Sequence, residues 1–65
     1  MEIICSNNDY RIIVDVTSTY IIIFKVQVKI LFFWITIKEF KDFNYGDNAE
    51  NCRLNAIELY NKLIN

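Results

Sequence analysis

Two sets of residues alternate along the chain from Tyr10 to Lys38, one wholly apolar and the other mixed. Tyr10, Ile12, Val14 and Val16 alternate with Arg11, Ile13, Asp15 and Thr17. Tyr20, Ile22, Phe24, Val26 and Val28 alternate with Ile21, Ile23, Lys25, Gln27 and Lys29. Leu31, Phe33, Ile35 and Ile37 alternate with Phe32, Trp34, Thr36 and Lys38. A period of two sends successive side chains to opposite faces of a strand. The residues involved are largely β-branched or aromatic, as strands prefer. The pattern predicts three strands, over 10–17, 19–29 and 31–40. Beyond Gly46 the period changes. Ala49, Cys52, Ala56, Leu59 and Leu63 fall at helical spacing with Tyr60 alongside, which predicts a helix over 48–64. Asp47 followed three residues later by Glu50 reads as a capping box with Asp in place of Ser or Thr. Glu58 and Lys62 form an i,i+4 pair on the outer side of the helix. The Asn7, Asn8, Asp9 cluster reads as a turn. The opening MEIIC could add a short edge strand, and the pattern leaves that open. The expected fold is α+β: one domain spanning 1–65, with a three-stranded antiparallel β-meander and a C-terminal helix packed on one face.

Two connections and a register follow. Thr17, Ser18 and Thr19 can close a short loop, because hydroxyls satisfy local backbone groups. Lys29 and Ile30 are left as the turn between the second and third strands. Pairing Val28 with Leu31 places Val26, Phe24 and Ile22 opposite Phe33, Ile35 and Ile37. Pairing Val16 with Tyr20 places Val14, Ile12 and Tyr10 opposite Ile22, Phe24 and Val26. The strongly apolar sets then share one face. A one-residue slip would turn a whole strand over, so this agreement supports the arrangement.

The run from Tyr20 to Ile37 is 18 residues, close to the minimum for a membrane-spanning helix. Lys25, Gln27 and Lys29 lie at its centre, where each lysine costs roughly 2.5–3.5 kcal/mol. No membrane partner is expected. With the helix on one side of the sheet, the other side should face solvent. The assumed register puts Asp15 beside Ile21 and Lys38, Ile13 beside Ile23 and Thr36, Arg11 beside Lys25 and Trp34, and Gln27 beside Phe32. An exposed face with this much apolar surface marks an interaction site. The candidate partner-binding residues are therefore Arg11, Ile13, Ile21, Ile23, Lys25, Lys29, Phe32, Trp34 and Lys38. Trp34 would be the anchor and the cations the rim. The same set could serve single-stranded nucleic acid, with Trp34 and Phe32 stacking on bases. A second copy of the chain could also cover the face.

Composition narrows the choice. The chain has 65 residues and buries only about 60% of its unfolded surface, so a homodimer or a larger partner would add needed stability. Cys5 and Cys52 are the only cysteines. Two do not make a disulfide framework, and a reducing cytoplasm with free thiols is expected. The net charge of −1 departs from the basic footprint of a nucleic-acid binder. Lys25, Lys29, Lys38 and Lys41 make the middle basic, while Asp42, Asp47, Glu50 and Glu58 make the C-terminal part acidic. There is no histidine, the commonest general base and a common metal ligand. A single glycine rules out a glycine-rich phosphate loop. Neither enzymatic activity nor a cofactor is expected.

At the level of type, the chain resembles the small accessory proteins of phages and prophages of AT-rich bacteria, anti-CRISPR proteins among them. The resemblance lies in the short length, the Ile/Asn/Lys/Tyr/Phe bias, the lack of catalytic residues and one adhesive sheet face. It implies a non-enzymatic inhibitor of a host nucleic-acid-processing effector, such as a CRISPR nuclease, and hence a large nuclease or nucleoprotein as partner. It assigns no individual residue.

Overall fold

The computed structural model describes residues 2–17 and 20–65. Its elements are β1 (Glu2–Ser6), β2 (Tyr10–Val16), β3 (Ile21–Ile30), β4 (Phe33–Phe43) and α1 (Asn48–Ile64). The four strands form one antiparallel sheet in the order β1-β2-β3-β4. The α+β class and the helix limits agree with the sequence pattern, but the sheet has four strands, not three. The additional strand is β1, from the segment whose pattern was ambiguous. It turns into β2 through Asn7, whose Oδ1 accepts from the amides of Asp9 (2.9 Å) and Tyr10 (2.7 Å). Met1, Ser18 and Thr19 lie outside the described residues, so the expected Thr17–Thr19 loop is described only at Thr17.

The helix crosses β2, β3 and β4 and closes one core. Ile12, Phe24 and Val26 meet Cys52, Ala56 and Tyr60 there, all buried. Ile4, Cys5, Tyr10, Val14, Ile22 and Phe40 pack around them from the sheet. The alternation along β2 and β3 is therefore read by the helix as expected. The register differs by two residues, with Val14 opposite Phe24 and Ile12 opposite Val26. An even shift leaves every side chain on its face.

The β3–β4 hairpin departs further. Its turn is Leu31–Phe32, closed by the pair Ile30–Phe33, rather than Lys29–Ile30. Leu31 sits at φ 56°. The expected turn, two residues earlier, would take β-branched Ile30 out of the strand, whereas here Ile30 stays in β3 opposite Phe33. Further along, Ile37 is an extra residue: Gln27 pairs with Thr36 and Val26 with Lys38. This β-bulge exchanges the faces of the rest of β4. Without it, Glu39 and Lys41 would lie under the helix. With it, Phe40 lies opposite Phe24 and joins the core. The cost is that Lys38 moves to the helix side, away from the outer face where the sequence register placed it.

Left-handed conformation at Leu31 costs about 1–2 kcal/mol. Only the first of the two turn residues has positive φ, the pattern of a type II′ turn that favours glycine there. Leu31→Gly should raise stability by up to about 1 kcal/mol, since extra freedom in the unfolded chain offsets part of the relieved strain. A higher urea midpoint at unchanged slope is the expected result.

The expected capping box does not form. Asp47 is the N-cap but makes no side-chain cap hydrogen bond. Glu50 instead accepts both Nε (3.0 Å) and the terminal guanidinium nitrogen of Arg53, one turn along. This pairing holds the Glu50 carboxyl below its ordinary value. The Glu58–Lys62 pair is present at 3.4 Å.

Both cysteines are free thiols, Cys52 buried and Cys5 half-buried. Burial raises the Cys52 thiol above its ordinary value near 9, and the Asp42 carboxylate pushes the same way. The unfolded chain therefore loses this proton first, and stability should fall as pH rises above about 9. Cys52→Ala should flatten that alkaline decline in a denaturation series. Iodoacetamide at neutral pH should label Cys5 in the folded protein and Cys52 only on unfolding, as mass spectrometry would read.

Candidate docking surface

β3 and β4 are the longest strands, and their hairpin outruns the rest of the sheet. Pairing with β2 ends at Tyr10–Val28. One further backbone bond, from the Lys29 amide to the Asp9 carbonyl (2.7 Å), ties the base of the overhang. Beyond it stand Ile30, Leu31, Phe32 and Phe33. Leu31 is 80% exposed, Phe32 90% and Phe33 70%, with Ile30 also exposed. Ile35 and Ile37 continue the apolar surface down β4. By register Ile30, Phe33 and Ile35 are on the helix side of the sheet. They are not among the residues packed on the core cluster. The tip is thus a projecting apolar wedge.

The outer sheet face looks different from the expected open patch. Ile13 is only 3% exposed and Ile23 9%. The physical reason is the fourth strand and the length of the neighbouring side chains. Ile13 lies between Ile3 and Lys25, and Ile23 between Asp15 and Lys41. Aliphatic stems of long charged residues cover such positions well. These two isoleucines are buried outside the core cluster and are not free for contact. Ile21 stays half-buried, opposite Phe43.

A polar row crosses this face instead. Arg11, Gln27 and Thr36 are aligned by register. Arg11 Nε donates to Gln27 Oε1 at 2.7 Å, and Gln27 Nε2 donates to Thr36 Oγ1 at 3.0 Å. Gln27 is buried with its amide satisfied, as a buried polar group requires. The Arg11 guanidinium also lies over the Trp34 ring, 4.3 Å from its centroid. Trp34 pairs with Lys29, and Lys25 stands 3.9 Å from Glu39. Arg11, Lys25, Lys29 and Trp34 share the outer face, but the expected row of Arg11, Lys25 and Trp34 does not form: Arg11 is opposite Gln27, and Lys25 is opposite Ile13 and Glu39. Phe32 does not join them, because it forms the turn, and Lys38 is on the other side. There its Nζ lies 5.8 Å from the Phe40 ring centroid, in a shallow groove of about 320 Å3 also lined by Asn55, Glu58, Leu59 and Lys62.

No family model matches the chain, and neither a curated protein nor a solved structure matches it. Among the described residues, no group of three or more Cys, Asp or Glu could hold a metal ion, and no helix is long and apolar enough to cross a membrane. What stands out chemically is the hairpin tip. Sequence reading missed Ile30, Leu31 and Phe33 as contact residues because it placed the turn two residues too early. The signal that could have found them is the run ILFFW itself. Its five consecutive bulky residues do not all fit on one buried face of a strand.

Proposed function

We propose that this chain is a non-enzymatic protein-binding module that docks on a larger partner through its β3–β4 hairpin. The projecting apolar tip, Ile30 to Phe33, carries this reading. Monomeric proteins seldom expose a contiguous cluster of large side chains, and such clusters mark contact sites. The tip is held on a ten-residue and an eleven-residue strand, so docking it orders little new chain and costs little entropy. Trp34, clamped by Arg11 and flanked by Lys29, forms the polar and aromatic rim behind it. Tryptophan and arginine are among the residues most enriched at binding hot spots.

The narrower form of the proposal is an inhibitor of a nucleic-acid-processing effector, such as a CRISPR nuclease, acting in the cytoplasm. Its support is the resemblance in type to small phage and prophage proteins. A nucleic-acid platform is less well supported. Arg11 occupies one face of Trp34, Phe32 is displaced to the turn, and Lys38 is turned away. Affinity capture from the source cells, with and without nuclease treatment, tests the choice. The expected result is a protein retained after nuclease digestion. Capture of nucleic acid alone, lost on digestion, would overturn the proposal.

A further inference from the structure

We infer that the free edge of β4 pairs with a second copy of this chain, antiparallel, with Phe40 opposite Phe40. The two edges of the sheet are unlike. β1 is five residues long and bulged, which protects an edge. β4 is eleven residues long, and past its own bulge it runs regularly from Lys38 to Phe43.

The backbone decides which residues can pair outward. The Asn44 amide donates to the Tyr20 carbonyl at 2.6 Å, so Asn44 hydrogen-bonds toward β3. Alternation along an antiparallel ladder then directs Asp42 and Phe40 toward β3 as well, and leaves the amides and carbonyls of Glu39, Lys41 and Phe43 pointing outward. A two-fold seam must couple members of that outward set.

The side chains choose among the possible registers. Centring the two-fold on Glu39 sets Glu39 against itself, and centring it on Lys41 sets Lys41 against itself. Centring it on Phe40 sets Glu39 against Lys41 and Lys38 against Asp42, twice each, with Ile37 against Phe43. The segment Ile37–Phe43, I-K-E-F-K-D-F, is thus self-complementary when reversed, in charge and in apolar character. This register also makes Glu39–Lys41 a hydrogen-bonded pair, as their outward backbone groups demand. Opposite charges directly across strands stabilise a pair and like charges destabilise it. The lysines that ordinarily discourage edge pairing each find a carboxylate here.

The two-fold axis stands perpendicular to the sheet, so both α1 helices lie on the same side. The groove of Lys38, Phe40, Asn55, Glu58, Leu59 and Lys62 then lies along the seam and faces its own copy. Half-buried Phe40 and Leu59 would be covered there, as would exposed Ile37 and Phe43. The result is a continuous eight-stranded sheet with the two hairpin tips outside the seam.

Charge reversal tests the seam with folding controlled from within. Sedimentation equilibrium of the wild type should give a dimer, twice the 7.8 kDa chain mass. Lys41→Glu alone and Glu39→Lys alone should each weaken dimerisation by at least about tenfold. Mixing the two variants should restore it, because each cationic edge then meets an anionic one. Recovery on mixing also shows that both variants are folded. A wild type that stays monomeric at the highest attainable concentration overturns the inference. So does a dimer indifferent to both reversals, or one lost only on Phe32→Asn. A monomeric wild type leaves the hairpin proposal untouched, since the tip is not part of the seam.

Discussion

Phe24→Ala should leave little or no folded protein at 25 °C. Phe24 is buried on the helix side of the central strand β3, opposite Val14 on one side and Phe40 on the other. It is one of six buried residues of the core cluster, with Ile12, Val26, Cys52, Ala56 and Tyr60. Truncating a buried Phe costs about 3–5 kcal/mol, the transfer free energy plus the cavity. Total stability at roughly 0.05–0.15 kcal/mol per residue is about 3–10 kcal/mol for a chain of this length. The two ranges overlap, so a single truncation can unfold the molecule. Circular dichroism and urea titration at fixed protein concentration read the effect. Phe32→Ala is the matched control. Phe32 is almost wholly exposed in the turn, and the same change there should alter stability by no more than about 0.5 kcal/mol. Equal losses at the two positions would mean that the core is not where the helix meets β3.

The second large effect is on binding rather than on folding. Phe32→Asn should weaken capture of the partner by roughly 30-fold or more, the scale of about 2 kcal/mol for a central contact residue. The same variant should keep the wild-type urea midpoint. Asn tolerates turn backbones, and the side chain removed touches little of its own chain. Trp34→Ala should act differently. It removes the ring under Arg11 and so perturbs the polar row through Gln27 and Thr36. Its effect on binding should come with some loss of stability, of order 0.5–2 kcal/mol for a half-buried cation–π contact. A variant series in which Phe32→Asn binds as well as wild type would move the contact elsewhere.

Face assignment in β2 and β3 was legible because it depends only on parity. Shifting the β2–β3 register by two residues changed each partner and no face. The β3–β4 pairing shifted by four near the turn and was equally harmless there. Ile37 broke the rule. Nothing in ITIKEF announces a bulge, and the signal comes only from the helix, which needs Phe40 and not Glu39 beneath it. Lys38 changed sides for that reason alone. The turn was hidden because Leu31 is not a residue that advertises positive φ. Gly46, the only glycine, does so at φ 58° ahead of the helix. The helix limits were legible from spacing, but its cap was not, since Arg53 competes for Glu50. Exposure on the outer face was misread for a different reason. Alternation identifies a face, yet how much water reaches it depends on the neighbouring strand and on the length of its side chains.

The site residues divide along the same line. Arg11, Lys25, Lys29 and Trp34 stay on one face because an even slip preserves faces, although it changes which of them are cross-strand neighbours. Phe32 and Lys38 scatter because a turn and a bulge intervene. The wedge at Ile30 to Phe33 replaces the expected flat patch as the prominent apolar surface, and it keeps the lysine and tryptophan behind it.

The most direct test is site-specific photo-crosslinking in the source cells. A benzophenone amino acid is placed at Phe32, and in a separate variant at Asn61, exposed on the helix near its C-terminal end. Docking through the hairpin predicts a protein adduct from position 32 that survives nuclease digestion, and none from position 61. Adducts from position 61 alone, or from position 32 to nucleic acid only, would contradict it.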